Sequence, residues 1–140
     1  MDKVLFVLRR GCEELAADYK SDLFETELVC DVLLALKKIK NKKYKLVILD
    51  LGSNRICGLD LLKIIRSNPN NHHLKIIITA RNYNYKYIQE CFSQGADFFI
   101  KFPFPISEIE KIYTHLKGLD DYVDLEAIAR YNRFKWLTQI

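Results

Sequence analysis

Leu46-Val47-Ile48-Leu49-Asp50 is an unbroken apolar run ended by a carboxylate. A strand with one wet face alternates apolar and polar residues. A continuous run marks a strand buried on both faces, as in a parallel sheet. Outward from this stretch, short apolar runs recur from Val4 to Leu8, Glu27 to Cys30, Ile76 to Ile78 and Phe98 to Ile100. Between them the apolar residues take helical spacing, clearest at Val32, Leu33, Leu36 and Ile39 and at Ile106, Ile109, Ile112 and Leu116. Breakers punctuate the pattern: Gly58 opens one helix, Asn68-Pro69-Asn70 closes it, and Gly95 ends the next. Strand and helix thus alternate to about residue 117. Parallel strands need crossovers of a dozen or more residues, and the spacing supplies them. The expected fold is α/β: a doubly wound, five-stranded parallel sheet with helices on both faces.

With 140 residues, 49% of them apolar and 29% charged, the chain can bury a core as a single domain. Its 22 Lys and Arg against 18 Asp and Glu leave a net charge of +4, too mild to imply nucleic acid. No apolar run approaches the ~20 residues that span a bilayer, so no membrane is expected. The start, Met1-Asp2-Lys3-Val4, lacks a signal-peptide layout, and a cytoplasmic location is the expectation. Cys12, Cys30, Cys57 and Cys91 form no close pair, and His72, His73 and His115 have no ligand-spaced companions. That pattern argues against zinc and against a disulfide framework.

Function in an open parallel sheet gathers at the carboxyl ends of the strands. Those ends carry Leu8-Arg9-Arg10, Asp50, Thr79 and Lys101-Phe102. Asp50 at the rim of an apolar layer is either a turn-capping residue or the centre of a site. Thr79 at the next strand end makes the second reading more specific. Arg9 has two placements open to it. It can satisfy both oxygens of Asp50, or it can point into solvent.

Leu49-Asp50-Leu51, Gly58-Leu59-Asp60-Leu61-Leu62, Arg66, Thr79-Ala80-Arg81, Gly95-Ala96-Asp97 and Pro103-Phe104, in this order, resemble a response-regulator receiver domain of two-component signalling. The resemblance covers about residues 3 to 117. It implies a CheY-like, flavodoxin-like sheet of order 2-1-3-4-5. It also implies a phospho-acceptor position at Asp50, a switch hydroxyl at Thr79, and a partner histidine kinase or downstream effector. The family's acidic metal-binding pair falls on Leu8 and Arg9, where no carboxylate stands. Mg²⁺ wants hard oxygen ligands, so the expectation is a pseudo-receiver with no metal and no cofactor. Aligned on Pro103, the family's lysine falls on Phe102, and Lys101 lies one residue earlier. A shift of one along a strand points a side chain to the other face.

The resemblance further implies an interaction face, here Tyr83, Tyr85, Tyr87, Phe102 and Phe104, and a homodimer is one use for it. Six lysines lie between Lys37 and Lys45 without interleaved aromatics, so nucleic acid is not the expected partner. Leu8-Arg9-Arg10-Gly11 does not resemble a phosphate-cradling loop, which disfavours a flavin. Residues 1–118 read as the receiver-like domain and 119–140 as a C-terminal helical extension, with Val123, Ala127, Tyr131 and Phe134 on one face. The expected function is a signalling interaction module, not an enzyme, that works without conventional Mg²⁺-dependent phosphorylation. The alternatives are a phosphorylatable receiver using Asp50, or the receiver part of a transcriptional regulator.

Overall fold

The computed structural model describes residues 1–52, 58–82 and 84–120, the side chains of the last two excepted. Five parallel strands form one sheet: β1 (Lys3–Val7), β2 (Glu25–Val29), β3 (Leu46–Asp50), β4 (Lys75–Ala80) and β5 (Phe98–Lys101). Their spatial order is β2-β1-β3-β4-β5, which is the expected 2-1-3-4-5. Among the described residues the α-helices are α1 (Val32–Asn41), α2 (Gly58–Ser67), α3 (Tyr85–Ser93) and α4 (Ile106–Asp120).

The continuous apolar runs have their predicted cause. Every residue of β3 is buried, because helices cover both of its faces. Leu5, Val7, Val47, Leu49, Ile76 and Ile78 face α1, α2 and α3. Val4, Phe6, Leu46, Ile48, Ile77 and Phe98 face α4 on the other side. Asp31 starts α1 by accepting from the Leu33 amide at 2.8 Å, and Asn84 starts α3 by accepting from Lys86 at 2.8 Å. Each cap satisfies an otherwise orphaned donor, worth about 1 kcal/mol. Gly95 stands at φ +107 after α3, and Arg66 packs where its Cβ would be. Helix ends need such a left-handed residue, and glycine adopts it freely.

Two local expectations are corrected. The second strand is Glu25–Val29 rather than 27–30. It lies at a sheet edge, so Glu25, Thr26 and Glu27 serve a partly wet surface that no apolar run marks. The first crossover holds only a 3₁₀ turn, Glu13–Ala17, where alternation predicted a full helix. Cys12, Leu15 and Tyr19 keep helical spacing, but Leu23 is 46% exposed and the stripe fails there. Rings hold this segment instead. Tyr19 stacks against both Phe6 and Phe104, with centroids 4.9 and 5.1 Å away, and its hydroxyl donates to the Phe104 carbonyl at 3.1 Å. Of the extension expected over 119–140, the first two residues complete α4 and the rest lies outside the described residues.

Candidate functional site

β1, β3 and β4 lie side by side, and their carboxyl ends bring four of the predicted residues together. Asp50 and Thr79 are direct neighbours across the β3–β4 ladder. Along β3 the side chains of Leu46, Ile48 and Asp50 share one face by the two-residue period, and Ile77 and Thr79 share the matching face of β4. Asp50 and Thr79 are both wholly buried, unusual for an aspartate without partners. Leu8, just past β1, is buried beside them and donates its amide to the Val29 carbonyl at 3.0 Å.

Arg9 follows directly and turns onto the carboxylate. Its Nε donates to Asp50 Oδ2 at 2.9 Å, and its Nη2 donates to Oδ1 at 3.1 Å. Of the two placements open in the sequence, the guanidinium takes the paired one. A fork meeting a carboxylate with two parallel bonds is the strongest form of such a pair. The Gly52 amide adds a third donor, to Oδ1 at 2.8 Å. The carboxylate raises the Arg9 pKa by accepting its hydrogen bonds, against an opposing effect of burial. The Arg9 side chain stays 30% exposed while that of Asp50 is fully covered. The cation therefore forms the lid between Asp50 and solvent.

Gly52 permits this lid, and sequence reading missed it. A Cβ at Gly52 would lie 2.3 Å from Arg9 Nη2 and 2.9 Å from Cζ. Its signal was a residue with no side chain two positions after the carboxylate. Thr79 Oγ1 has no hydrogen-bond partner among the described residues, although it is buried. Its backbone carbonyl is occupied, accepting from the Leu51 amide at 2.8 Å.

The remaining candidates are placed differently. Lys101 ends β5 opposite Ala80, and it is exposed. Phe102 is buried and meets Phe104 edge-on, with centroids 5.8 Å apart, beyond the cis Phe102-Pro103 bond. Arg81 lies over the Phe102 ring, its Cζ 4.6 Å from the centroid. That contact is one sequence reading did not foresee. It closes one side of a groove of about 580 Å³ between the 3₁₀ segment and the residues following β5. On the predicted interaction face Tyr85 is 50% exposed, Tyr87 is half-buried against the core, and Tyr83 lies outside the described residues.

Parallel strands wound in this order, with a buried aspartate at the switch point beside a hydroxyl, define a flavodoxin-like α/β domain. Residues 6–114 match the response regulator receiver domain, and the chain belongs to that family. Among curated relatives it is 28% identical over 74 residues to the two-component response regulator ARR17 of Arabidopsis thaliana, covering 53% of this chain and 48% of that one. The chain spans about half the length of the curated relatives it matches. The chemotaxis response regulator CheY4 of Vibrio cholerae superposes with a TM-score of 0.71 at 21% identity, over 82% of this chain and 98% of that one. The receiver domain of the sensor histidine kinase PA1611 of Pseudomonas aeruginosa does so at 0.71 and 20%, over 84% and 98%. That protein has a magnesium ion coordinated in its active site cleft. At these identities the likeness to the two structures concerns the fold. Among the described residues no helix is long and apolar enough to cross a membrane.

Proposed function

We propose that this chain is a pseudo-receiver: a two-component signalling module that works by binding partner proteins, without conventional Mg²⁺-dependent phosphorylation of Asp50. The observation that carries the reading is the two-bonded Arg9–Asp50 pair. Both carboxylate oxygens already accept charged or backbone donors. Mg²⁺ needs near-octahedral hard oxygens, and one carboxylate beside a guanidinium is a poor donor set for it. A metal would have to expel Arg9 and then bind without a second carboxylate from Leu8 or Arg9. The cation supplies charge neutralisation but no coordination geometry. In this reading it holds the pocket in one state.

The reading assigns no catalytic reaction to the chain. Its partners are signalling proteins, either a histidine kinase or a downstream effector, with a second copy of the chain as a further use of the Tyr85 face. It places the protein in the cytoplasm and gives nucleic acid no role. The test is an amide NMR titration with Mg²⁺ and beryllofluoride, a mimic of the phosphoryl group. Unmoved Asp50 and Thr79 amides at about 10 mM metal are expected, since metal sites depend on ligand charge count. Saturable shifts running from Asp50 through Thr79 to Tyr85 would overturn the reading.

A second reading is favoured by one observation, the buried Thr79 hydroxyl without a partner beside Asp50. An unsatisfied buried hydroxyl costs about 1–3 kcal/mol, and a phosphoryl oxygen on Asp50 would satisfy it. In that reading Arg9 swings outward and stabilises the transferred group in place of metal. Incorporation of phosphate from acetyl phosphate, lost in Asp50→Asn, would support it.

A further inference from the structure

Opposite the Asp50 rim, the amino ends of β3 and β4 border a second groove, of about 440 Å³. One wall is the last turn of α1 and the turn into β3, with Lys40, Lys42 and Lys43. The other is the segment leading into β4, with Asn68, Asn70 and His73. Ile39, Tyr44 and Leu74 form an apolar floor. A cavity of this size suits a small molecule, within the ~300–1,000 Å³ typical of ligand sites.

Its charge is unbalanced. Lys42 is tied to Glu27 at 2.8 Å, and Lys38 approaches the same carboxylate at 3.6 Å. Lys40 and Lys43 enter no ion pair among the described residues, and both are exposed. The opposite wall is held in place. Arg66 donates to the Asn71 carbonyl at 2.8 Å, Asn71 Nδ2 donates to the Ile65 carbonyl at 3.0 Å, and Asn68 Oδ1 accepts from the Asn70 amide at 3.0 Å. That bond fixes the Asn68 oxygen toward its own turn and leaves the NH₂ group as the donor it can offer an anion. Compact ammonium charges facing amide donors across a rigid cleft suit an anion rich in acceptor oxygens.

We propose that this groove binds a small organic phosphate, the phosphoryl group lying between Lys40, Lys43 and Asn68 and the organic part on the Ile39–Leu74 floor. A phosphomonoester brings a charge of about −2 near pH 7 and three strong acceptor oxygens, a match to two unpaired lysines. A nucleic acid strand suits the groove less. It wants an extended basic track with stacking aromatics, whereas here Tyr44 is buried and Glu27 sits within the lysine cluster. The inference is independent of how Asp50 is used, since it concerns the other end of the sheet.

The test is an amide NMR titration of the full chain with adenosine diphosphate, inorganic phosphate, a duplex oligonucleotide and polyglutamate at equal ionic strength. Expected is saturable binding of the diphosphate, with shifts confined to residues 39–44 and 68–74. Lys40→Glu and Lys43→Glu should each weaken it about tenfold, the usual effect of losing a charge-assisted contact. Inorganic phosphate saturating the same amides equally well would support the site and assign recognition to the phosphoryl group alone. Shifts that do not saturate, shifts spread over every lysine, or binding of only the oligonucleotide or polyglutamate would overturn the proposal. Both substituted residues are exposed, and unchanged spectra elsewhere would show that the variants fold.

Discussion

Among the described residues stand two arginine–aspartate pairs of similar length, and they do different work. Arg66 spreads its donors over three acceptors on two segments: the Gly95 carbonyl at 3.0 Å, the Asn71 carbonyl at 2.8 Å and Asp97 Oδ2 at 3.0 Å. Asp97 in turn accepts from the Ile76 amide at 2.9 Å, so the cluster fastens α2 to β4 and to the connections leading into β4 and β5. Burial pushes the Asp97 pKa up, opposed by that amide and by the nearby Lys75 and Arg66. Arg9 instead commits two nitrogens to one carboxylate at the rim where family members do chemistry. A pair distributed over backbone carbonyls is architecture. A pair concentrated on a single side chain competes with whatever else that side chain can bind.

The comparison predicts a division of effects. Arg66→Ala takes the donor from two carbonyls and leaves half-buried Asp97 without its cation. It should cost about 2–3 kcal/mol, three hydrogen bonds being lost at once, read as a lowered urea midpoint with unchanged slope. Arg9→Ala should cost less, about 1–2 kcal/mol, because Gly52 still donates to Asp50 and water can reach the rim. Only the Arg9 substitution should change ligand chemistry. In Arg9→Asp a second carboxylate joins Asp50, and Mg²⁺ affinity should rise at least about tenfold over the parent, measured by calorimetry. Equal Mg²⁺ responses in the Arg66 and Arg9 variants would break the distinction.

Gly52→Ala sharpens it further. The new methyl would overlap the Arg9 guanidinium, the far end of a flexible side chain, so the arginine moves rather than the backbone. We expect a loss of about 1 kcal/mol together with a shifted Arg9 Nε–H resonance, while Arg66 stays unperturbed. The smallest effect concerns a third, more exposed cluster. Burial raises the Glu27 pKa, but hydrogen bonds from Lys42 and Tyr44, with the charges of Lys38 and Lys42, bring it down to about 2. A depressed carboxylate pKa gives stability that is full above its ordinary value near 4.5 and lost as pH falls from there toward 2. Glu27→Gln should therefore remove about 1 kcal/mol at pH 7 and flatten the acid limb of a stability profile.

The strands and their buried faces were legible because burial on both sides writes itself as unbroken apolar runs; the breakers Gly58 and Gly95 marked helix limits, and the sheet order came from the family resemblance. β2 was misplaced by two residues, since an edge strand beginning Glu25-Thr26-Glu27 need not be apolar. The 3₁₀ turn escaped because Cys12, Leu15 and Tyr19 carry helical spacing while the stacked rings that hold them lie far off in the chain. At the site, the choice between Arg9 paired and Arg9 solvated needed coordinates. A side chain of that reach can satisfy either, and Gly52, which decides the matter, registers in a sequence only as something missing.

The sheet order has a consequence for synthesis. The first strand of the sheet to be made is an interior one, bonded to β2 on one side and β3 on the other. While the chain emerges from the ribosome at about 5–20 residues per second, both edges of β1 wait for partners, and the second closes only when Asp50 is out. Of the rim residues, Asp50 therefore leaves the tunnel with the strand that completes the pairing of β1, after Arg9 and before Thr79. Chaperone capture in this chain should fall sharply once β3 has been exposed.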